Sequence, residues 1–106
     1  MGSNPTPSAN LIVTDMNSEN NWVVYILECA DETFYTGITN NLEKRFKMHQ
    51  AGKAARYTSG RLPVKIIYSK SGYTESQARK EEFRVKGMTR QNKEKLIRLY
   101  QNILDT

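Results

Sequence analysis

The sequence predicts an α/β (α+β) domain in which a small, mainly antiparallel sheet of three strands is flanked by three helices. Runs of β-branched and aromatic residues, separated by polar turn residues, predict the strands. Amphipathic segments bounded by capping residues and glycines predict the helices. The chain has 106 residues, of which 38% are hydrophobic, and this is enough for one compact core of modest size. We therefore expect a single domain at residues 22–106, preceded by a leader at residues 1–21.

The leader is polar and contains two of the three prolines, so we predict that it is disordered. It has no Lys or Arg and only one short apolar run, Leu11 to Val13, which does not fit a secretory signal. No apolar run in the chain approaches the roughly 20 residues that span a bilayer. The single cysteine, Cys29, excludes an intramolecular disulfide and suits a reducing compartment. These features predict a cytoplasmic protein that does not enter the membrane.

The start of the domain predicts a β-hairpin. Residues 22–29 are rich in strand-forming side chains, residues 30–33 form a polar break, and residues 34–39 predict the second strand. Gly37 has no side chain and would leave open space on its face of the second strand.

The hairpin register decides whether Tyr25 and Tyr35 lie on the same face of the sheet. Side chains alternate between the two faces along a strand. For Tyr25 and Tyr35 to lie on one face, the residue numbers of two directly facing residues must therefore sum to an even number. A three-residue loop at Asp31 to Thr33 meets this condition by pairing Ala30 with Phe34. We predict this turn, or a bulge with the same effect.

The hairpin is followed by a predicted helix. Thr39 or Asn40 can serve as its N-cap, and Gly52 would end it. Arg45 and His49 are four residues apart, so they lie on one helical face beside the apolar stripe. Spacing alone favours an ordinary solvated arginine and an exposed or hydrogen-bonded histidine.

A basic loop is predicted from Lys53 to Pro63. Its cations, Lys53, Arg56 and Arg61, surround one aromatic residue, Tyr57. Such a combination suits contacts to a nucleic-acid backbone with stacking on a base or sugar. An ordinary exposed connection explains the loop nearly as well.

A third strand is predicted at Val64 to Ser69, with its turn at Ser71-Gly72. Thr89 caps a last helix, Arg90 to Leu104, which we interpret as a packing element. The apolar face of this last helix is predicted to contain Leu96, Leu99, Tyr100 and Ile103.

The helix between the third strand and the last helix contains the most informative carboxylate. This helix is predicted at residues 74–86, and Glu82 lies on the same stripe of the helix as the apolar residues Ala78 and Val85. A carboxylate on an inward stripe should be paired, protonated or bound to a metal, because an unpaired buried charge is costly. The alternative is a surface salt bridge to Arg79 or Lys86.

Charge is distributed unevenly along the chain. Residues 1–43 contain six acids and no Lys or Arg, whereas residues 44–106 contain all 16 Lys and Arg and five acids, a balance of +11. A basic surface with interleaved aromatic residues attracts phosphate backbones through counterion release. The alternative is that the lysines only keep the protein soluble, but we favour nucleic-acid binding.

The order of these parts resembles the GIY-YIG nuclease family, and most closely its small stand-alone bacterial members. The matching residues, in chain order, are Tyr25, Tyr35 with Gly37, Asn41, Arg45, His49 and Glu82. Val23-Val24-Tyr25 stands where the family has Gly-Ile-Tyr, and Tyr35-Thr36-Gly37 stands for Tyr-Ile-Gly. The resemblance runs from about Trp22 to about Lys95.

The resemblance implies a metal-dependent endonuclease that hydrolyses phosphodiester bonds in DNA, including structured or damaged DNA, as in DNA repair. Glu82 occupies the position of the family's metal-binding glutamate, so one Mg²⁺ or Mn²⁺ is implied. Arg45 would clamp a phosphate oxygen. Tyr25, Tyr35 or His49 would take the proton from water, and the residues alone do not choose among them. Positive charge near a tyrosine would have to lower its pKa from about 10.

Gly37 and Asn41 also match the family motif and are candidate nucleic-acid-binding residues, although Asn41 is better suited to fixing the turn into the helix than to touching substrate. The expected partner is nucleic acid, most naturally DNA, with no small-molecule cofactor and with the chain as a monomer or weak dimer. The main alternative is a non-catalytic DNA- or RNA-binding module. A protein-interaction domain is a further alternative, and its binding would not weaken steeply with salt.

Overall fold

The computed structural model describes residues 20–105, so most of the predicted leader lies outside the described residues. The helices and strands are β1 (Trp22–Glu28), β2 (Phe34–Thr39), α1 (Leu42–Gln50), α2 (Arg56–Ser59), β3 (Lys65–Tyr73), α3 (Glu75–Lys86) and α4 (Arg90–Asp105). The three strands form one antiparallel sheet in the order β2-β1-β3. The predicted fold class is therefore confirmed. The one-turn helix α2, inside the predicted basic loop, was not predicted.

Strand β1 is the central strand because it is apolar on both faces. Its residues Val24 to Leu27 are all buried. Tyr25 and Leu27 point into a core layer that α1 and the segment after α2 cover. Ile26 points into the opposite layer, where α3 and α4 pack. The sheet thus lies between two small cores, and the tyrosine face belongs to the α1 side.

The hairpin places Tyr25 and Tyr35 on one face, as predicted, but closes one residue earlier than predicted. The loop is Ala30 to Glu32, and the Cys29 N–H donates to the Thr33 carbonyl at 2.9 Å. Asp31 favours this closure because its Oδ1 accepts from both the N–H and the hydroxyl of Thr33. The predicted pairing of Ala30 with Phe34 is wrong, since Phe34 lies opposite Glu28. The residue numbers of facing residues still sum to an even number, so Tyr25 and Tyr35 remain on the same face of the sheet.

Capping residues fix the ends of α1 and α3. Asn41 is the N-cap of α1, where its Oδ1 accepts from the Lys44 N–H at 3.1 Å, so the prediction of Thr39 or Asn40 is wrong. Asn41 thus fixes the turn into the helix. Thr74 forms a capping box with Gln77 at the start of α3, as the sequence indicates.

Two predictions about the second half need correction. Ser71-Gly72 is not a turn, because β3 continues to Tyr73, which pairs with Trp22 at the start of β1. The predicted apolar face of α4 is only partly buried. Ile97 is the buried residue and Leu96 and Tyr100 pack beside it, whereas the side chains of Leu99 and Ile103 are exposed.

Candidate active site

The two motif tyrosines and the histidine form a cluster of three rings. The Tyr25 and Tyr35 ring centroids are 6.5 Å apart, and both rings meet the His49 imidazole edge-on at 5.7 and 5.3 Å. His49 reaches the hairpin from the last turn of α1, where it is the buried residue of that helix. The face of α1 that carries His49 therefore lies against the hairpin.

Gly37 is the residue that makes room for Tyr25. The two residues face each other across β1 and β2, and a Cβ atom added at Gly37 would lie 2.6 Å from Tyr25 Oη and 2.7 Å from its Cζ. The sequence predicted open space above Gly37, and this prediction is wrong, because the Tyr25 ring fills that space. A glycine is required here by close packing and not by its backbone angles.

Tyr25, His49 and Thr58 form a hydrogen-bonded chain with a defined direction. Thr58 Oγ1 donates to the Ala55 carbonyl at 3.1 Å, and a carbonyl can only accept. The Thr58 oxygen therefore accepts from His49 Nδ1, 2.9 Å away. His49 Nε2 is then the acceptor for the Tyr25 hydroxyl at 2.8 Å. The histidine is held as the neutral Nδ1–H tautomer, with the tyrosine proton pointing at its free nitrogen.

Burial governs the protonation of this pair. Tyr25 is 2% exposed and His49 is 1% exposed. Burial, and next the nearby Tyr35, raise the pKa of Tyr25 well above its usual value, although Arg45 opposes the shift. Burial, followed by Arg45, lowers the pKa of His49. The expected lowering of a tyrosine pKa by positive charge is therefore wrong for Tyr25, because burial outweighs the arginine.

Arg45 is half-buried on α1, one turn before His49. Its charge is near enough to lower the pKa of both His49 and Tyr25. None of the ion pairs within residues 20–105 uses its guanidinium. Among the described residues, no carboxylate is therefore ion-paired with this charge beside the tyrosine–histidine pair.

Glu82 on α3 lies within electrostatic range of the cluster, since its charge is the smallest of the contributions to the raised pKa of Tyr25. Its side chain is 23% exposed, and Oε2 lies 3.2 Å from Lys86 Nζ, which is the salt bridge considered as the alternative. The described part of the chain contains no group of three His, Cys, Asp or Glu that could hold a metal together. A single, partly exposed carboxylate does fit Mg²⁺, which keeps most of its water ligands.

The predicted basic loop contacts the cluster through Tyr57. Its ring stacks on Tyr35 with centroids 6.2 Å apart, and the Arg61 guanidinium lies 4.0 Å from the Tyr57 ring centre. Arg61 is fixed from its other side by Asp31, with Nε donating to Oδ2 at 3.0 Å, and by the Tyr57 carbonyl. Lys53 and Arg56 are exposed cations outside this stack.

Sequence analysis missed two residues of the site, Thr58 and Asp31. Thr58 is fully buried and orients His49, while Asp31 in the hairpin turn holds Arg61. Neither residue has a sequence signal of its own, because each acts through a partner distant along the chain. The stretch around Thr58 offered only its basic and aromatic composition.

The fold and the site define a GIY-YIG domain, a nuclease fold. A family model described as the GIY-YIG catalytic domain matches residues 21–95. The chain therefore belongs to the GIY-YIG family, and the predicted family is confirmed. None of the helices within residues 20–105 is long and apolar enough to cross a membrane.

The relatives that match are small proteins of similar extent. A UPF0213 protein of Oceanobacillus iheyensis is 51% identical over 74 residues, covering 70% of this chain and 86% of that protein. A UPF0213 protein of Clostridium perfringens is 50% identical over 74 residues, covering 70% and 80%. The solution NMR structure of a UPF0213 protein from Bacillus halodurans is 40% identical, covers 74% of this chain and 83% of that one, and has a TM-score of 0.50.

Proposed function

We propose that this protein is a metal-dependent endonuclease that hydrolyses phosphodiester bonds in DNA. The observation that carries the proposal is the buried hydrogen bond between Tyr25 and His49, which has a free arginine on one side and Glu82 within electrostatic reach. Membership of a family with a nuclease fold agrees with this chemistry.

Hydrolysis forms one bond from phosphorus to a water oxygen and breaks one ester bond, so a group must take the water proton. Tyr25 suits this task because its own proton already points at His49 Nε2, 2.8 Å away. The tyrosine oxygen accepts the proton from water while the phenolic proton passes to the histidine. The two transfers must be concerted, since burial raises the pKa of Tyr25 and disfavours a free phenolate.

Arg45 and Glu82 complete the machinery. Arg45 binds nonbridging phosphate oxygens through its paired N–H groups, which opposes the charge that develops on the phosphate. Glu82 would hold the divalent cation, and its carboxylate would then have to leave the ion pair with Lys86. Bound Mg²⁺ or Mn²⁺ would supply charge neutralisation at the phosphate and at the leaving oxygen. Tyr35 is less buried than Tyr25 and orients the attacking water from the rim of the cluster.

Nucleic acid is the proposed partner because the cations of the chain are concentrated after residue 43, and DNA is the form that the family resemblance implies. Asn41, Lys53, Arg56, Tyr57 and Arg61 are then candidates for contacts to the nucleic acid. We propose no small-molecule cofactor and a monomer or weak dimer. A single site per chain needs two copies, or two binding events, to cut both strands of a duplex.

A non-catalytic nucleic-acid-binding module is the second candidate. It is favoured by one observation, the ion pair between Glu82 and Lys86, which satisfies the carboxylate without a metal. A module of this kind would bind DNA or RNA with steep salt dependence but would not need Glu82.

The test compares cleavage of labelled single-stranded, duplex, flap and branched DNA and of RNA, with Mg²⁺ or Mn²⁺. Glu82→Ala should abolish cleavage and retain binding. The matched control is Glu75→Ala, which removes another ion-paired acid from the same helix. Cleavage that survives in Glu82→Ala, or that is absent from the wild type on every substrate, would overturn the nuclease assignment.

A further inference from the structure

Phe83 is an exposed aromatic residue next to the catalytic carboxylate. It directly follows Glu82 in α3, and 81% of its surface is exposed, more than for the other large exposed hydrophobic residues of the described chain. Single exposed apolar residues are normal and carry no argument by themselves. The surroundings of this ring do carry one.

Three of the four helical neighbours of Phe83 are cations, and two of these are ion-paired, Arg79 with Glu75 and Lys86 with Glu82. Residues three and four positions away share its face of α3, and they are Arg79, Lys80, Lys86 and Gly87. The third cation, Lys80, makes none of the ion pairs within residues 20–105, and Gly87 has no side chain. An aromatic ring is thus presented to solvent beside one unpaired lysine and two ion-paired cations that a phosphate backbone could also contact, as in proteins that stack on nucleobases while binding the backbone.

The aromatic residues that compete for this role are already in contact with partners inside the protein. Tyr57 is stacked on Tyr35 and lies under the Arg61 guanidinium, so both contacts would be disturbed if a base used its ring. Phe34 is covered by Arg90, 3.8 Å from its ring centre. Within residues 20–105, no ring or cation makes such a contact with Phe83.

We propose that Phe83 stacks on an unpaired nucleobase of the substrate beside the bond to be cut. This inference rests on the proposed function and specifies its substrate class. Successive residues of a helix are rotated by about 100°, so the ring lies outward from the Glu82 carboxylate on the solvent side. A base inside a continuous duplex offers neither face, because both are covered by neighbouring base pairs. The substrate is therefore DNA with an unpaired nucleotide next to the cleavage point, such as a single strand, a flap or a branch.

The test measures binding without cleavage. Fluorescence anisotropy of labelled single-stranded, flap and continuous duplex DNA is recorded in EDTA for wild type, Phe83→Ala and Phe83→Trp. Leu99→Ala is the matched control, because it removes an exposed apolar side chain from α4. Phe83→Ala should weaken single-strand and flap binding roughly 5- to 150-fold, which corresponds to one lost stacked base, and change duplex binding less than about twofold. Phe83→Trp should retain affinity, and its indole emission should be quenched by single-stranded DNA.

Two results would overturn this inference. One is Phe83→Ala binding within about twofold of wild type on every DNA, or an equal loss on single-stranded and duplex DNA. The other is a loss of self-association of Phe83→Ala in sedimentation, which would assign the ring to contact with a second copy. The outcome is independent of turnover, since a protein that cuts nothing can still lose single-strand affinity selectively, and a nuclease can be indifferent to Phe83.

Discussion

The Gly37→Ala substitution tests whether the cluster is packed as closely as the structure shows. The new methyl group would lie 2.6 Å from Tyr25 Oη, about 0.8 Å short of ordinary contact, which begins at 3.4 Å. It would also lie 3.1 Å from Tyr35 Cε2. Tyr25 cannot move aside freely, because its ring is buried and its hydroxyl is held 2.8 Å from His49.

The expected cost follows from two opposing effects. Overpacking of a core costs about 1–3 kcal/mol. Replacing glycine by alanine recovers about 0.4–1 kcal/mol by restricting the unfolded chain. The net loss at Gly37 should therefore be about 1–2 kcal/mol, or a drop in Tm of several degrees for a domain of this size.

Urea and thermal unfolding of Gly37→Ala measure this loss, with Gly60→Ala as the control. A Cβ atom at Gly60 meets no atom within 4 Å, and its φ of −93° is accessible to alanine, so this variant should stay within about 0.5 kcal/mol of wild type. Because the displaced Tyr25 hydroxyl also leaves His49, cleavage by Gly37→Ala should fall by more than its folded fraction. A Gly37→Ala protein as stable and active as Gly60→Ala would refute the packing argument.

Three further predictions concern the groups around the cluster. Because the pKa of His49 is lowered in the folded protein, the unfolded chain binds a proton at this residue first as the pH falls below about 6.5. The free energy of unfolding should therefore decrease by up to about 1.4 kcal/mol per pH unit below that pH. His49→Gln should lack this slope in urea titrations between pH 5 and 8. Asp31→Asn releases Arg61 from an exposed ion pair, so the unfolding midpoint should barely change. The cleavage rate should fall, because Tyr57 no longer holds Tyr35. Glu43→Gln removes an acid from another exposed ion pair and should change neither quantity. Tyr25→Phe should lower the maximal cleavage rate by about 10²-fold or more with DNA affinity unchanged, and an equal loss in Tyr35→Phe alone would move the base role to Tyr35.

The sequence was most informative where a short-range rule determined the geometry. Strand alternation alone placed Tyr25 and Tyr35 on one face, and helical spacing brought His49 to that face with Arg45 one turn away. It was least informative where long-range pairing overrode a local signal. Gly72 is a turn residue by type, with φ of +96°, yet β3 continues through it because Tyr73 pairs with Trp22.

In the site, too, the contacts that the sequence did not predict are those between residues from different segments of the chain. The ion pair of Asp31 with Arg61 joins residues 30 positions apart, and the hydrogen bond of Thr58 to His49 exists only because α2 folds back over α1. Composition marked this segment as basic and aromatic, which is also typical of an exposed DNA-binding loop. It could not show that Thr58 is buried against His49 or that Arg61 pairs with Asp31 of the hairpin turn.

The direction of the hydrogen-bonded chain links the proposed base to the presence of substrate. The Thr58 hydroxyl already donates to the Ala55 carbonyl, so a proton that reaches His49 Nε2 stays on the ring as positive charge. Burial and the nearby Arg45 both oppose that charge in the free protein. A phosphate bound to Arg45 neutralises the guanidinium and adds negative charge beside the ring, which removes one cause of the lowered pKa and favours the imidazolium. Under the proposed mechanism, the histidine would therefore be a stronger base with a phosphodiester in the site than without one.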